Sequence, residues 1–188
     1  MEDTAKRGPR QAGMAVGVLV EKRPTRSPWA EAVWRPVSVM PGEAGAAPWT
    51  VIGEEEDGTQ RYWAGGACLT LYRGDTEAYR FNLGGEPRIY VVLRPAGPGS
   101  SLPYDLHLVT LSPYEAQDHL DSDEDIVEAL PPVPAILAFL ERFVAAQPEP
   151  APFRKRRRDK AVPDRIQFSK EPIFLQRGKP RSGGEPCA

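Results

Sequence analysis

Apolar and polar positions fall into step at Met14. Val16, Val18 and Val20 alternate with Ala15, Gly17 and Leu19 until Arg23-Pro24 closes the run, and this period of two predicts a strand. Ala32 to Met40, rich in Val and Trp, predicts a second strand. Pro36 inside it has no N–H to give to a ladder, which restricts that strand to a sheet edge or a bulge. Pro41 to Pro48 is a Gly/Ala/Pro loop, and Trp49 to Ile52 opens a third strand that Asp57-Gly58 turns back. Arg61 to Ala64 and Ala67 to Tyr72 continue the meander, with Gly65-Gly66 as a bulge or turn between them. Thr76 to Leu83 fits a strand or a short helix, and the strand is the preferred reading. Ile89 to Leu93 is the least ambiguous strand, and Leu106 to Leu111 follows the Pro/Gly/Ser loop at 95–103.

Two helices come next. In Ser112-Pro113-Tyr114-Glu115, Ser stands at the N-cap, Pro at the first helical position and Glu three residues after the cap. This is a capping box, in which hydroxyl and carboxylate satisfy N–H groups that the helix leaves unpaired. The helix it opens is expected to run to about Leu120, and Ile126 to Leu130 to return as a strand. The second helix begins at Pro132–Pro134 and carries Ile136, Leu137, Leu140, Phe143 and Val144. Those positions form one apolar stripe on a 3.6-residue period, which predicts packing across the open face of the sheet. The fold class is therefore α+β: a mainly antiparallel curved sheet or partial barrel, packed by a C-terminal helix plus one short helix. Residues 14–150 form its single domain, flanked by segments 1–13 and 151–188 that are expected to be disordered.

Composition narrows this picture. Among 188 residues, 21 are Pro and 17 Gly, which argues against long helices, coiled coils and solenoid repeats. No apolar run reaches the ~18 residues that cross a bilayer, so no membrane span is expected. Met1 to Gln11 carries charges with no apolar stretch behind them, so no secretory signal is expected either. Cys68 and Cys187 are too few for a disulfide framework, in keeping with a cytoplasmic protein. Cys68, between Ala67 and Leu69, reads as a small buried hydrophobe.

The net charge of -2 conceals a segregation: residues 1–13 carry +1, residues 14–150 carry -10 and residues 151–188 carry +7. Within the acidic body, Glu115 to Glu128 holds seven carboxylates and no Lys or Arg. Within the basic segment, Arg154, Lys155, Arg156, Arg157 and Arg158 are five consecutive cations. Nucleic acid is disfavoured as the partner of those cations, because a body at -10 repels a polyanion and no reader motif is present. A protein partner is the preferred reading.

No catalytic constellation is visible. His107 lies within an alternating strand and His119 on an acidic helix, and each reads as structural or solvated, so nothing supplies a base to a nucleophile. No CxxC pair or HExxH helix points to a metal, and no cofactor is expected. Asp121 to Asp125 fails as a calcium loop: no Gly stands at the sixth position, and Pro132 replaces the bidentate Glu at the twelfth. Arg73, Arg80, Arg88 and Arg94 lie near strand ends, either as a seat for phosphate or as surface arginines offsetting nearby acids.

A docking patch has one candidate. Tyr114, Gln117, Asp118 and Asp121 share a helix face at spacings of 3, 4 and 7, an aromatic among polar groups. The competing reading is that Tyr114 packs back onto the sheet and pins the helix.

Four stretches together carry a family resemblance. They are Val16 to Arg23 with Ser27-Pro28-Trp29 and Val33 to Val37; Asp75 to Leu83; Arg88 to Arg94; and Ser112 to Ser122. In that order they resemble a proteobacterial family of unknown function usually encoded beside molybdenum-dependent formate dehydrogenase genes. The resemblance covers roughly residues 14 to 158. It implies a cytoplasmic accessory protein for assembly or maturation of a molybdenum- or tungsten-dependent formate dehydrogenase, and the lack of a visible catalytic constellation suits that role to protein binding, with no enzymatic activity expected. The partner it implies is a formate dehydrogenase subunit or another maturation factor. The alternative is a small-ligand-binding or enzymatic domain acting on the molybdopterin cofactor.

Overall fold

The computed structural model describes residues 8–28, 31–42, 45–100, 102–122 and 124–148. All of them belong to the first of two units, residues 1–150 and 151–188. The elements in chain order are β1 (Gln11–Pro24), β2 (Ala32–Pro41), β3 (Thr50–Glu54), β4 (Gln60–Tyr72), α1 (Thr76–Leu83), β5 (Ile89–Pro95), β6 (Tyr104–Thr110), α2 (Pro113–Leu120), β7 (Ile126–Leu130) and α3 (Pro134–Ala145). The fold is α+β and its strand pairs are antiparallel. The strands divide between two sheets, of order β2-β1-β4-β3 and β6-β5-β7. The Arg35–Glu128 ion pair, 2.7 Å, ties β2 of the first sheet to β7 of the second.

The alternation in β1 translates directly into burial, with Val16, Val18 and Val20 wholly inside. The special residues sit where their chemistry requires. Pro36 lies on the edge strand β2, where Leu19 pairs with Ser38 but Val20 with Pro36, so one residue bulges. On the other side of β1, Val18 pairs with Gly65 and Leu19 with Trp63, a bulge that Gly65 allows at φ 134°. Both neighbours of β1 therefore bulge at the same level. The Trp63 ring then covers Gly17 so closely that a Cβ there would meet it at 1.7 Å. One core joins Leu69 and Leu71 of β4, Val91 and Leu93 of β5, and Ile136, Leu140 and Phe143 of α3.

Several expectations need correcting. Thr76–Leu83 is α1, a helix and not a strand, because its buried residues Thr76, Ala78, Tyr79 and Asn82 recur on a helical period. Gln11–Gly13, expected outside the domain, belong to β1 and pair with Thr70–Tyr72. Cys68 is exposed, because Leu69 and Leu71 take the core side of β4 and alternation turns Cys68 outward. The expected disorder of residues 1–7 and 151–188 falls outside the described residues. No helix among the described residues is long and apolar enough to cross a membrane.

Gly8–Arg10 lie against the residues that follow α3 and against Arg73, which follows β4. Gln147 Nε2 donates to Pro9 O at 3.1 Å, the Arg73 guanidinium donates to Gly8 O, and Arg73 N–H donates to Arg10 O at 2.9 Å. A Cβ at Gly8 would stand 2.3 Å from Ala146 O, so only glycine fits this approach.

Candidate functional site

The helix α2 starts as its sequence requires. Ser112 is the N-cap, Pro113 opens the first turn, and the Ser112 hydroxyl accepts the Glu115 N–H at 3.3 Å. The Ser112 N–H itself goes to Thr110 Oγ1, 3.0 Å, where a full capping box would use Glu115. Ala116 is the one buried residue of α2, so the helix rests on the domain by a narrow side. Tyr114, Gln117, Asp118 and Asp121 are all exposed.

Tyr114, 51% exposed, does not pack back onto the sheet. It stacks on Phe81 of α1, itself 67% exposed, with ring centroids 6.0 Å apart and planes 30° apart. Phe81 points outward because the other side of α1 is tied down. Asn82 Nδ2 donates to Arg88 O and Leu111 O, both at 2.8 Å, and its Oδ1 accepts the Arg88 N–H at 2.9 Å. Tyr79 faces Phe143 at 6.1 Å, and its hydroxyl oxygen accepts the Tyr72 N–H at 3.1 Å. Burial pushes the Tyr79 hydroxyl pKa up to about 12, so it stays a neutral structural group.

The ring pair stands between two clefts. One, about 410 Å³, is lined by Asp75, Glu77, Glu115 and Asp118 together with Tyr114 and Ser112. None of those four carboxylates has an ion-pair partner among the described residues. The other, about 390 Å³, is lined mainly by Phe81, Gly84, Gly85, Tyr90 and Pro113. An exposed aromatic ridge with an acidic trough on one side and an apolar trough on the other can bind a polypeptide.

A second constellation gathers behind α2. The His107 and His119 rings meet edge to face with centroids 5.1 Å apart. His119 Nδ1 lies 3.2 Å from Asp125 Oδ2, and Arg94 grips the same carboxylate with two bonds of 2.9 and 2.8 Å. The guanidinium holds the Asp125 carboxyl pKa down to about 2. Burial, helped by Arg94 and His119, lowers the pKa of His107. A carboxylate-oriented imidazole is part of many general-base sites, yet no Ser, Thr, Cys or Lys side chain hydrogen-bonds to either ring among the described residues. The described residues also contain no group of three or more His, Cys, Asp or Glu placed to hold a metal. The two histidines, read separately from sequence, are thus one cluster. Their spacing of twelve across a strand and a helix gave no periodic signal.

The arginines form no cradle. Arg73 donates to Gly8 O, Arg80 to Pro148 O at 2.9 Å, Arg88 pairs with Glu86 and Arg94 with Asp125, so each guanidinium is committed to a different partner. Arg154, Lys155, Arg156, Arg157 and Arg158 lie outside the described residues. Phe81, half of the aromatic pair, was missed because its segment reads as a strand.

Residues 15–157 match the family described as a protein of unknown function, DUF3305. No curated protein and no solved structure matches the chain. The chain belongs to the DUF3305 family.

Proposed function

For a member of this family, we propose a cytoplasmic accessory protein that acts by binding another protein, with the α1–α2 face as its docking surface. The Phe81–Tyr114 pair carries the reading. Two large rings stacked on each other in solvent expose apolar area, and covering it is worth roughly 25 cal/mol per Å². Aromatic anchors ringed by polar groups are also where protein interfaces concentrate their binding energy. Gln117, Asp118 and Asp121 supply that ring on α2. The run Arg154 to Arg158 is the second proposed contact, steering association by charge. The sequence resemblance supports the partner: a subunit of a molybdenum- or tungsten-dependent formate dehydrogenase, or another of its maturation factors.

Co-purification from formate-grown cells tests this. A stoichiometric complex is expected with the native chain, and its loss with Phe81→Ala/Tyr114→Ala at unchanged melting temperature. Normal formate dehydrogenase activity in a clean deletion strain overturns the assignment.

A further inference from the structure

We infer that the α1–α2 face takes a short segment of its partner in which a basic side chain, arginine above all, stands beside an apolar one. The inference rests on the docking reading above and adds the chemistry of the occupant.

The two clefts make unlike demands. Four carboxylates, all unpaired among the described residues, line the first. What sets them apart from other unpaired surface acids is that they share one cleft that Tyr114 of the exposed ring pair also lines. Helix starts account for Asp75, Glu77 and Glu115, at the N-cap or in the first turn of α1 and α2, where the positive helix end favours anions. Asp118 lies past the first turn of α2 and has no such reason to be there. The carboxylate of the second cleft, Glu86, is already occupied by Arg88, which leaves that cleft apolar in effect.

A purely apolar occupant would cover the rings and leave four acids to be desolvated without a cation. A polyanion would be repelled. A small hydrated inorganic cation would leave the apolar area of the rings uncovered. Arginine serves both parts: its planar guanidinium pairs with carboxylates, and its stem and face lie on an aromatic ring. With that side chain over Tyr114 and into the acidic cleft, an apolar neighbour reaches the cleft beyond Phe81.

Selection of random short displayed peptides against the full-length chain tests the inference. Enriched peptides are expected to carry Arg or Lys beside an apolar residue. Affinity for one of them should fall about tenfold in Glu77→Gln/Asp118→Asn and further in Phe81→Ala/Tyr114→Ala. It should also weaken as salt rises from about 50 to 500 mM. Enriched peptides without a cation, or an affinity indifferent to Glu77→Gln/Asp118→Asn, overturn the inference. So does a dimer of the full chain that disappears when residues 154–158 become Ser, since a second copy would then supply the cations. If the natural complex needs the two rings and not the two acids, only this inference falls. If it needs neither, the docking reading falls with it.

Discussion

Tyr79 and Phe81 stand two residues apart on one helix and meet opposite fates. Tyr79 is wholly buried, packs on Phe143 and accepts a backbone hydrogen bond from Tyr72. Phe81 is two-thirds exposed, and Tyr114 is its ring partner. The inner side of α1 is held by geometry at every polar atom that Asn82 offers, whereas the outer side is held by one ring stacking on another. Residue type therefore does not separate core from surface here. Truncations on the inner side should cost far more stability than truncations of the two outer rings.

Truncating one aromatic on each side is the sharpest way to break this contrast. Tyr79→Ala should cost about 3–5 kcal/mol, as aromatic truncations in cores do, while Tyr114→Ala should stay within about 0.5 kcal/mol. Urea unfolding measures both, and equal losses would erase the distinction between the two sides. The interior of the first sheet provides the next test. Gly17→Ala drives a methyl into the Trp63 ring, and overpacking of this kind costs about 1–3 kcal/mol. A neutral Gly17→Ala would mean that this interior yields as easily as the outer face.

The smallest effect is a dependence on pH behind α2. The native state favours neutral His107, so its pKa lies below the unfolded value. Unfolding then takes up protons as the pH falls below about 6.5. Stability should decline there until His107 is charged in both states, and His107→Gln should flatten that slope. Asp125 behaves in the opposite range. Its stabilisation is complete above ordinary carboxylate values and disappears only as the pH drops toward about 2. Thermal unfolding between pH 7 and 5 reads the first term without the second.

Much of the framework was legible in the sequence. The N-cap at Ser112, the edge or bulge at Pro36 and the bulge at Gly65 each follow from one local rule and are present, and the stripe on α3 is present with Phe139 in the core where Leu137 was expected. Helix α1 was not legible. Tyr79, Phe81 and Leu83 alternate like a strand, and the residue that decides the matter is Asn82, a polar side chain buried by three hydrogen bonds that hydropathy cannot anticipate. That single misreading hid half of the site. Spacing alone brought Tyr114, Gln117, Asp118 and Asp121 to one face, but Phe81 reaches Tyr114 only across two helices. The His107–His119 contact is likewise tertiary and leaves no trace in any local period.

The contact of Gly8 and Pro9 with the residues after α3 has a kinetic side. The bond from Gln147 to Pro9 joins positions 138 apart, so closing it means fixing nearly the whole domain first. During synthesis β1 can pair with β2 and β4 as soon as Tyr72 has left the ribosome, while Gly8 and Pro9 just before it meet their partners Ala146 and Gln147 only after α3 is made. Gly8 and Pro9 are thus secured later than the strand they lead into.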